Sequence, residues 1–215
     1  MTTNIEPQIY KGQYGNFVIT DSDRLEVIIY RLGLLIAGLS FTAASILILW
    51  KGANSPVLAV ITPLFYLFCL GLAVSLIYIH IYLDILKKIL QFSLLIGLIS
   101  ALILDIKTEQ NLSLFIYNNP LSLLGVGFSF VALTGIYFKE AFCFNRLETK
   151  FLTVIVPLLL LGHLIGILPL NIEQLLLSIW TLLFLVFLAR KATQPIPPDI
   201  GDKSVFTYLK QKFVD

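Results

Sequence analysis

The stretch "LLLLGHLIGILPL", residues 158–170, decides how this chain is read. It holds no charged residue. With "FLTVIVP" before it, the run 151–170 reaches the roughly 20 apolar residues that a helix needs to cross a bilayer at about 1.5 Å per residue. A helix apolar on every side belongs in lipid. Only "LPLNIEQ", 168–174, separates this run from the next, so the two spans form a tight antiparallel hairpin, with Pro169 ending one helix and Asn171 capping the other. A re-entrant pair is the alternative geometry for this segment.

Working outward, the apolar runs between charges give six spans: 27–50, 57–83, 85–105, 119–138, 151–170 and 172–189. The expected class is an all-α polytopic bundle of six transmembrane helices over 27–190. A polar N-terminal segment (1–26) precedes it, and a linker with a short amphipathic tail (191–215) follows. The chain is 58% hydrophobic and 13% charged, about half the charged share of a soluble domain, and its mean hydropathy is +0.90. So few charges could not solvate a soluble surface. No apolar core lies before residue 27, so the first span is expected to be a retained anchor. "TDSDRLE", 20–26, offers Asp21, Ser22 or Asp23 as its N-cap, and Arg31 is expected to snorkel to the interface.

The charges test this count. Six spans put both termini and the second and fourth loops on one side. That side carries all of the 15 Lys and Arg except Lys51 and Lys107. By the positive-inside rule the termini are cytoplasmic, or stromal in a plastid. The net charge of +2 gives no ground for a nucleic-acid partner. In the tail, "ATQPIPPDIG" (192–201) reads as a proline-rich linker without helix potential. Val205, Phe206, Leu209 and Phe213 then recur at helical spacing, which reads as an amphipathic surface helix or a frayed tail.

No HExxH, GxSxG or phosphate-cradling glycine loop is present, and the expectation is a non-enzymatic protein. Cys69 and Cys143 form no cluster. His163 lies 12 residues into its span, roughly 18 Å deep, while His80 in "YIHIYLD" (78–84) sits near the cytoplasmic end among Tyr78 and Tyr82. Such unequal depths do not suit two ligands of one haem. Nearly every other ionisable group can be placed at a helix end, which leaves His163 as the deep polar group. It has three readings: a packing residue, an axial ligand to chlorophyll or another pigment, or a group handling a solute or proton.

Three small-xxx-small pairs mark expected helix-packing or partner faces: Gly33 with Ala37, Gly125 with Ser129, and Gly162 with Gly166. "KEAFCFNRLETK", 139–150, reads either as an interfacial turn or as a docking loop. In the second case Phe142 and Phe144 are apolar anchors beside Glu140 and Arg146.

Two stretches, "YKGQYGNFVITDSDRLEVIIYRLGL" (Tyr10–Leu34) and "YFKEAFCFNRLETKFLTVIVPLLLLGHL" (Tyr137–Leu164), resemble a family of uncharacterised integral membrane proteins of cyanobacteria and chloroplasts, classed as a domain of unknown function. The likeness extends over nearly the whole chain in the order of its spans. The resemblance implies the thylakoid membrane and an accessory or biogenesis role there. The partners it implies, besides the lipid bilayer, are photosystem subunits or the membrane-insertion machinery. It carries over no active site. The residues themselves leave a small-solute transporter and a pigment-binding protein open.

Overall fold

A computed structural model describes residues 9–212. The elements follow in order: strands β1 (Ile9–Gly12) and β2 (Gly15–Val18), then helices α1 (Asp21–Lys51), α2 (Ser55–Tyr78), α3 (Asp84–Lys107) and α4 (Leu112–Asn118). After a 3₁₀ turn at Pro120–Ser122 come α5 (Leu123–Val126), α6 (Phe128–Phe144), α7 (Leu147–Leu164), α8 (Leu170–Thr193), α9 (Pro197–Ile200) and α10 (Lys203–Lys212). Five helices, α1, α2, α3, α7 and α8, are long and apolar enough to cross a membrane, and α5 with α6 makes a sixth, bent by 57°. The protein is thus an all-α membrane bundle. Its outer faces expose residues such as Leu32, Leu39, Leu70, Phe92 and Leu95, where acyl chains replace a protein neighbour.

Local chemistry explains most boundaries. Thr20 caps α1: its hydroxyl accepts from the Asp23 amide, and the Asp23 carboxylate accepts from the Thr20 amide at 2.7 Å. The cap therefore lies one residue before the three expected. The 31 residues of α1 span about 46 Å, against roughly 30 Å of hydrocarbon, so its first turns stand outside the membrane. Asn54 caps α2, with Pro56 in the first turn.

The hairpin of α7 and α8 consists of two long helices, and the irregular span is the fourth. The expected span 119–138 is replaced by α5 and α6 meeting at Gly127, where an added Cβ would lie 2.3 Å from the Leu123 carbonyl oxygen. A side chain there is incompatible with the bend. The helix α7 ends in a Schellman motif. The Ile167 amide donates to the Gly162 carbonyl and the Gly166 amide to the His163 carbonyl, each at 3.1 Å, while Gly166 takes a φ of 68°. Pro169 is then the N-cap of α8, and Asn171 lies inside its first turn. The cap of α8 thus lies two residues before the expected Asn171, and α7 ends at Leu164, well before Pro169.

The core is aromatic at mid-bundle. Phe41 stacks against Trp180 at 4.3 Å, and Phe68, Phe130 and Phe184 complete the cluster. Nearest to one another run α1 and α2, because Gly33 and Gly71 face each other. A Cβ on Gly33 would lie 2.6 Å from the Gly71 carbonyl oxygen, and one on Gly71 would lie 2.7 Å from the Ala37 amide nitrogen. Gly125 and Ser129, though parted by the bend, both pack on α3, against Ser100 and Gly97 respectively.

The β-hairpin was not anticipated in the polar segment 1–26, of which residues 1–8 lie outside the described residues. It pairs Ile9 with Val18 through Gly12 with Gly15. Gly33→Val is expected to push α1 off α2 and cost about 1–3 kcal/mol, read as a lower unfolding midpoint in detergent. Leu35→Val, on an exposed face of the same helix, should leave the midpoint nearly unchanged.

Candidate functional site

The tails meet at the end of the bundle that the charge pattern marks as cytoplasmic. There the last two turns of α6, the last turn of α8, the eleventh residue of α1 and the single turn α9 bring five charged side chains together. Glu140 is fully buried. It accepts from Lys139 Nζ at 2.9 Å, from Lys191 Nζ at 2.8 Å through each oxygen, and from Tyr30 Oη at 3.3 Å. Asp199 accepts from Arg31 Nε at 2.8 Å and Nη2 at 2.6 Å, and also from Lys191 Nζ. The remaining Arg31 donors reach the carbonyls of Gln194 (2.7 Å) and Pro195 (2.9 Å). The ring of Phe144 lies 4.7 Å from Lys191 Nζ and 5.3 Å from Lys139 Nζ, a cation–π arrangement. Charges so buried persist only when paired, because desolvating each ion costs several kcal/mol.

A second cluster continues the first. Arg146 Nη2 donates to Gln194 Oε1 at 2.5 Å, and Arg190 donates to Glu148 at 2.8 Å. Among the described residues, buried Arg146 Nη1 and Glu148 Oε1 find no hydrogen-bond partner.

The tail beyond Asp199 is tied down residue by residue. The Asp202 amide donates to Tyr82 Oη at 2.6 Å, and Asp202 accepts from the Gln13 amide at 2.7 Å. The Tyr14 amide donates to Ser204 Oγ at 3.0 Å, and Lys203 pairs with Asp23 at 2.7 Å. Tyr14 and Tyr208 stack at 4.0 Å. Burial works to raise the Asp202 carboxyl, but bonds from the Ser204 hydroxyl and from the Gln13, Ser204 and Val205 amides outweigh it and hold it below 3.8. Asp202 is therefore ionised at neutral pH.

Between this strap, the α2–α3 linker and the end of α6 lies a cavity of about 600 Å³, within the range of small-molecule sites. Leu86, Phe138, Ile200 and Phe206 supply apolar walls; His80, Lys139, Cys143 and Asp199 supply the polar lining. Phe142 stands at its edge, 83% exposed. His80 Nε2 lies 3.3 Å from Glu26. Burial depresses the His80 imidazole below 6.5, and the Glu26 charge only partly restores it.

Several expected sites land elsewhere. His163 is not deep: it occupies the last turn of α7, its side chain is 28% exposed, and its Nδ1 lies 2.8 Å from Glu173 Oε1 at the start of α8. The helix ends there because of the Schellman turn, so the depth counted from residue 151 placed it a full half-span too far inside. Gly162 and Gly166 do not form one packing face. Gly162 packs on Leu168 of its own turn, while Gly166 is the left-handed cap. The stretch 139–150 is no loop, since α6 runs to Phe144 and α7 starts at Leu147. Left-handed Asn145 (φ 51°) makes the turn. Of its four docking residues only Phe142 is open; Glu140 and Arg146 are buried and Phe144 is half-buried. Arg31 does not snorkel to water but turns onto Asp199. The linker 192–201 contains the helical turn α9, and Asp199 within it is 4% exposed. Sequence reasoning missed this network. Its signal was Arg31 inside an apolar helix, a costly position that calls for an acid partner.

Two outcomes test the site. Glu140→Ala strands Lys139 and Lys191 and is expected to cost about 3–5 kcal/mol, seen as a large drop in detergent unfolding midpoint. Lowering the pH is expected to weaken the fold as well. The folded His80 resists protonation while the unfolded one titrates near 6.5, so stability falls as pH drops below that value. His80→Gln should flatten this part of the pH–stability profile.

Neither curated proteins nor solved structures yield a match. A family described as uncharacterised integral membrane proteins, DUF2301, matches residues 74–208. That segment holds every residue lining the cavity, and four of the five buried charges; only Arg31 comes from outside it. The chain belongs to the DUF2301 family of integral membrane proteins.

Proposed function

We propose that this protein is a non-catalytic membrane protein that works by contact. It would serve as an accessory or biogenesis factor for photosynthetic complexes in the thylakoid membrane. The observation that carries the contact reading is the cytoplasmic end. Exposed Phe138, Phe142, Leu83 and Ile85 form an aromatic and aliphatic rim around a cavity whose floor is held rigid by paired buried charges. Exposed aromatics on a fixed frame are the usual anchors of an interface. The photosynthetic setting rests on the resemblance of the segments Tyr10–Leu34 and Tyr137–Leu164.

The other uses find less support. The buried carboxylates and cations cluster at one end, and the aromatic core of Phe41, Phe68, Phe130 and Trp180 fills mid-bundle, which leaves a transporter reading without a polar path to argue from. As a pigment ligand His163 has only Nε2 to offer, since Nδ1 is engaged by Glu173.

Mild-detergent purification of the tagged full chain from photosynthetic membranes is expected to recover photosystem subunits or insertion machinery. Phe142→Ser should lower that recovery while the chain itself accumulates normally. A partner-free monomer, whose deletion leaves photosystem accumulation unchanged, overturns the reading.

A further inference from the structure

The cavity at the cytoplasmic end has an unusual polar feature. Lys139 lines it, yet the side chain is only 7% exposed. An ammonium has three donors. Among the described residues, the only hydrogen bond made by Lys139 Nζ goes to Glu140 Oε1. That carboxylate is also shared with Lys191 and Tyr30. Around it, the cations Arg31, Lys139 and Lys191 face only the two carboxylates Glu140 and Asp199. The network therefore has one positive charge in excess, and the cation whose donors are least used is the one that lines the cavity. A buried cation without a full counter-charge is costly, and an anion brought beside it removes that cost. Of the other polar lining residues, His80, Tyr82, Cys143 and Asp199, the Asp199 carboxylate is already taken by Arg31 and Lys191; the apolar walls, including Ile81, Leu86, Phe138 and Phe206, suit a hydrocarbon chain. The lining residues Leu83, Phe138 and Phe142 are exposed on the flank of a membrane bundle.

We infer that this cavity binds an anionic amphiphile with a single apolar tail, its carboxylate or phosphate head on Lys139 and its tail along the walls of Leu86, Phe138 and Phe206. This site does not depend on the contact reading, because ligand occupancy and partner recovery are separate readouts.

The test uses the full chain in phosphatidylcholine nanodiscs, with Cys143 as reporter. Cys143 lines the cavity and is exposed, whereas Cys69 is buried. Labelling of Cys143 by N-ethylmaleimide is timed in the presence of oleate, oleyl alcohol, oleoyl lysophosphatidic acid or inorganic phosphate. Oleate and the lysophospholipid are expected to protect at about tenfold lower concentration than oleyl alcohol, the worth of one charge-assisted hydrogen bond. Phosphate alone leaves the rate unchanged. In Lys139→Met the advantage of oleate over the alcohol disappears, while Arg31 and Lys191 still balance Glu140 and Asp199. Leu86→Trp fills the wall without touching a charge and abolishes protection by every probe. Four results overturn the inference: no protection by any probe, equal protection by oleate and its alcohol, an oleate advantage that survives Lys139→Met, or protection by phosphate alone.

Discussion

Three cations share two carboxylates at the end of the bundle where the tails meet, and the arrangement of the other elements there follows from satisfying them. Glu140 and Asp199 are fully or almost fully buried, so each must be met by donors with good geometry. Meeting Glu140 requires the end of α6 to sit against Tyr30 of α1 and Lys191 of α8. Meeting Asp199 requires the tail to fold back under the membrane and lie against Arg31. Such a network adds little net stability over an apolar packing of the same volume. Its effect here is on geometry: it admits one register of α1, α6, α8 and the tail, whereas apolar side chains alone tolerate sliding.

This division of labour explains the contrast between the two ends and the middle. At mid-bundle the helices are held by shape, through Gly33 against Gly71 and the aromatic cluster around Trp180. In lipid there is no hydrophobic drive to bring helices together, so close backbone approach and dispersion take its place. At the far end a single hydrogen-bonded pair, His163 with Glu173, joins α7 to α8 across a capped turn. Only the cytoplasmic end combines a cavity, buried ions and a tail that closes over them.

The membrane class and the spans were legible because they depend on composition and run length, each a sum over many residues. The family of uncharacterised integral membrane proteins was legible too: the stretch Tyr137–Leu164 lies within the matched residues 74–208, whereas Tyr10–Leu34 lies outside them. What failed was local. The depth of His163 depended on where α7 ends, and a single left-handed glycine, Gly166, moved that end. The pairing of Gly162 with Gly166 matched a spacing rule that presumes continuous helix. The bend at Gly127 leaves no room for a Cβ beside the Leu123 carbonyl oxygen, a local constraint that no periodicity reports. The hairpin escaped notice because its loop, Gln13–Tyr14, lacks the usual turn residues; both loop amides are satisfied by Asp202 and Ser204, nearly the whole chain away. The buried network escaped for the same reason: Arg31 and Asp199 are 168 positions apart.

That separation bears on biosynthesis. Spans are delivered to the bilayer in chain order, and Arg31 and Glu140 arrive well before Asp199 on α9 and Lys191 on α8. Arg31 meets this carboxylate only once Asp199, 168 positions later, is in place. The tail thus acts as a clasp that ties the first helix to the short helix α9.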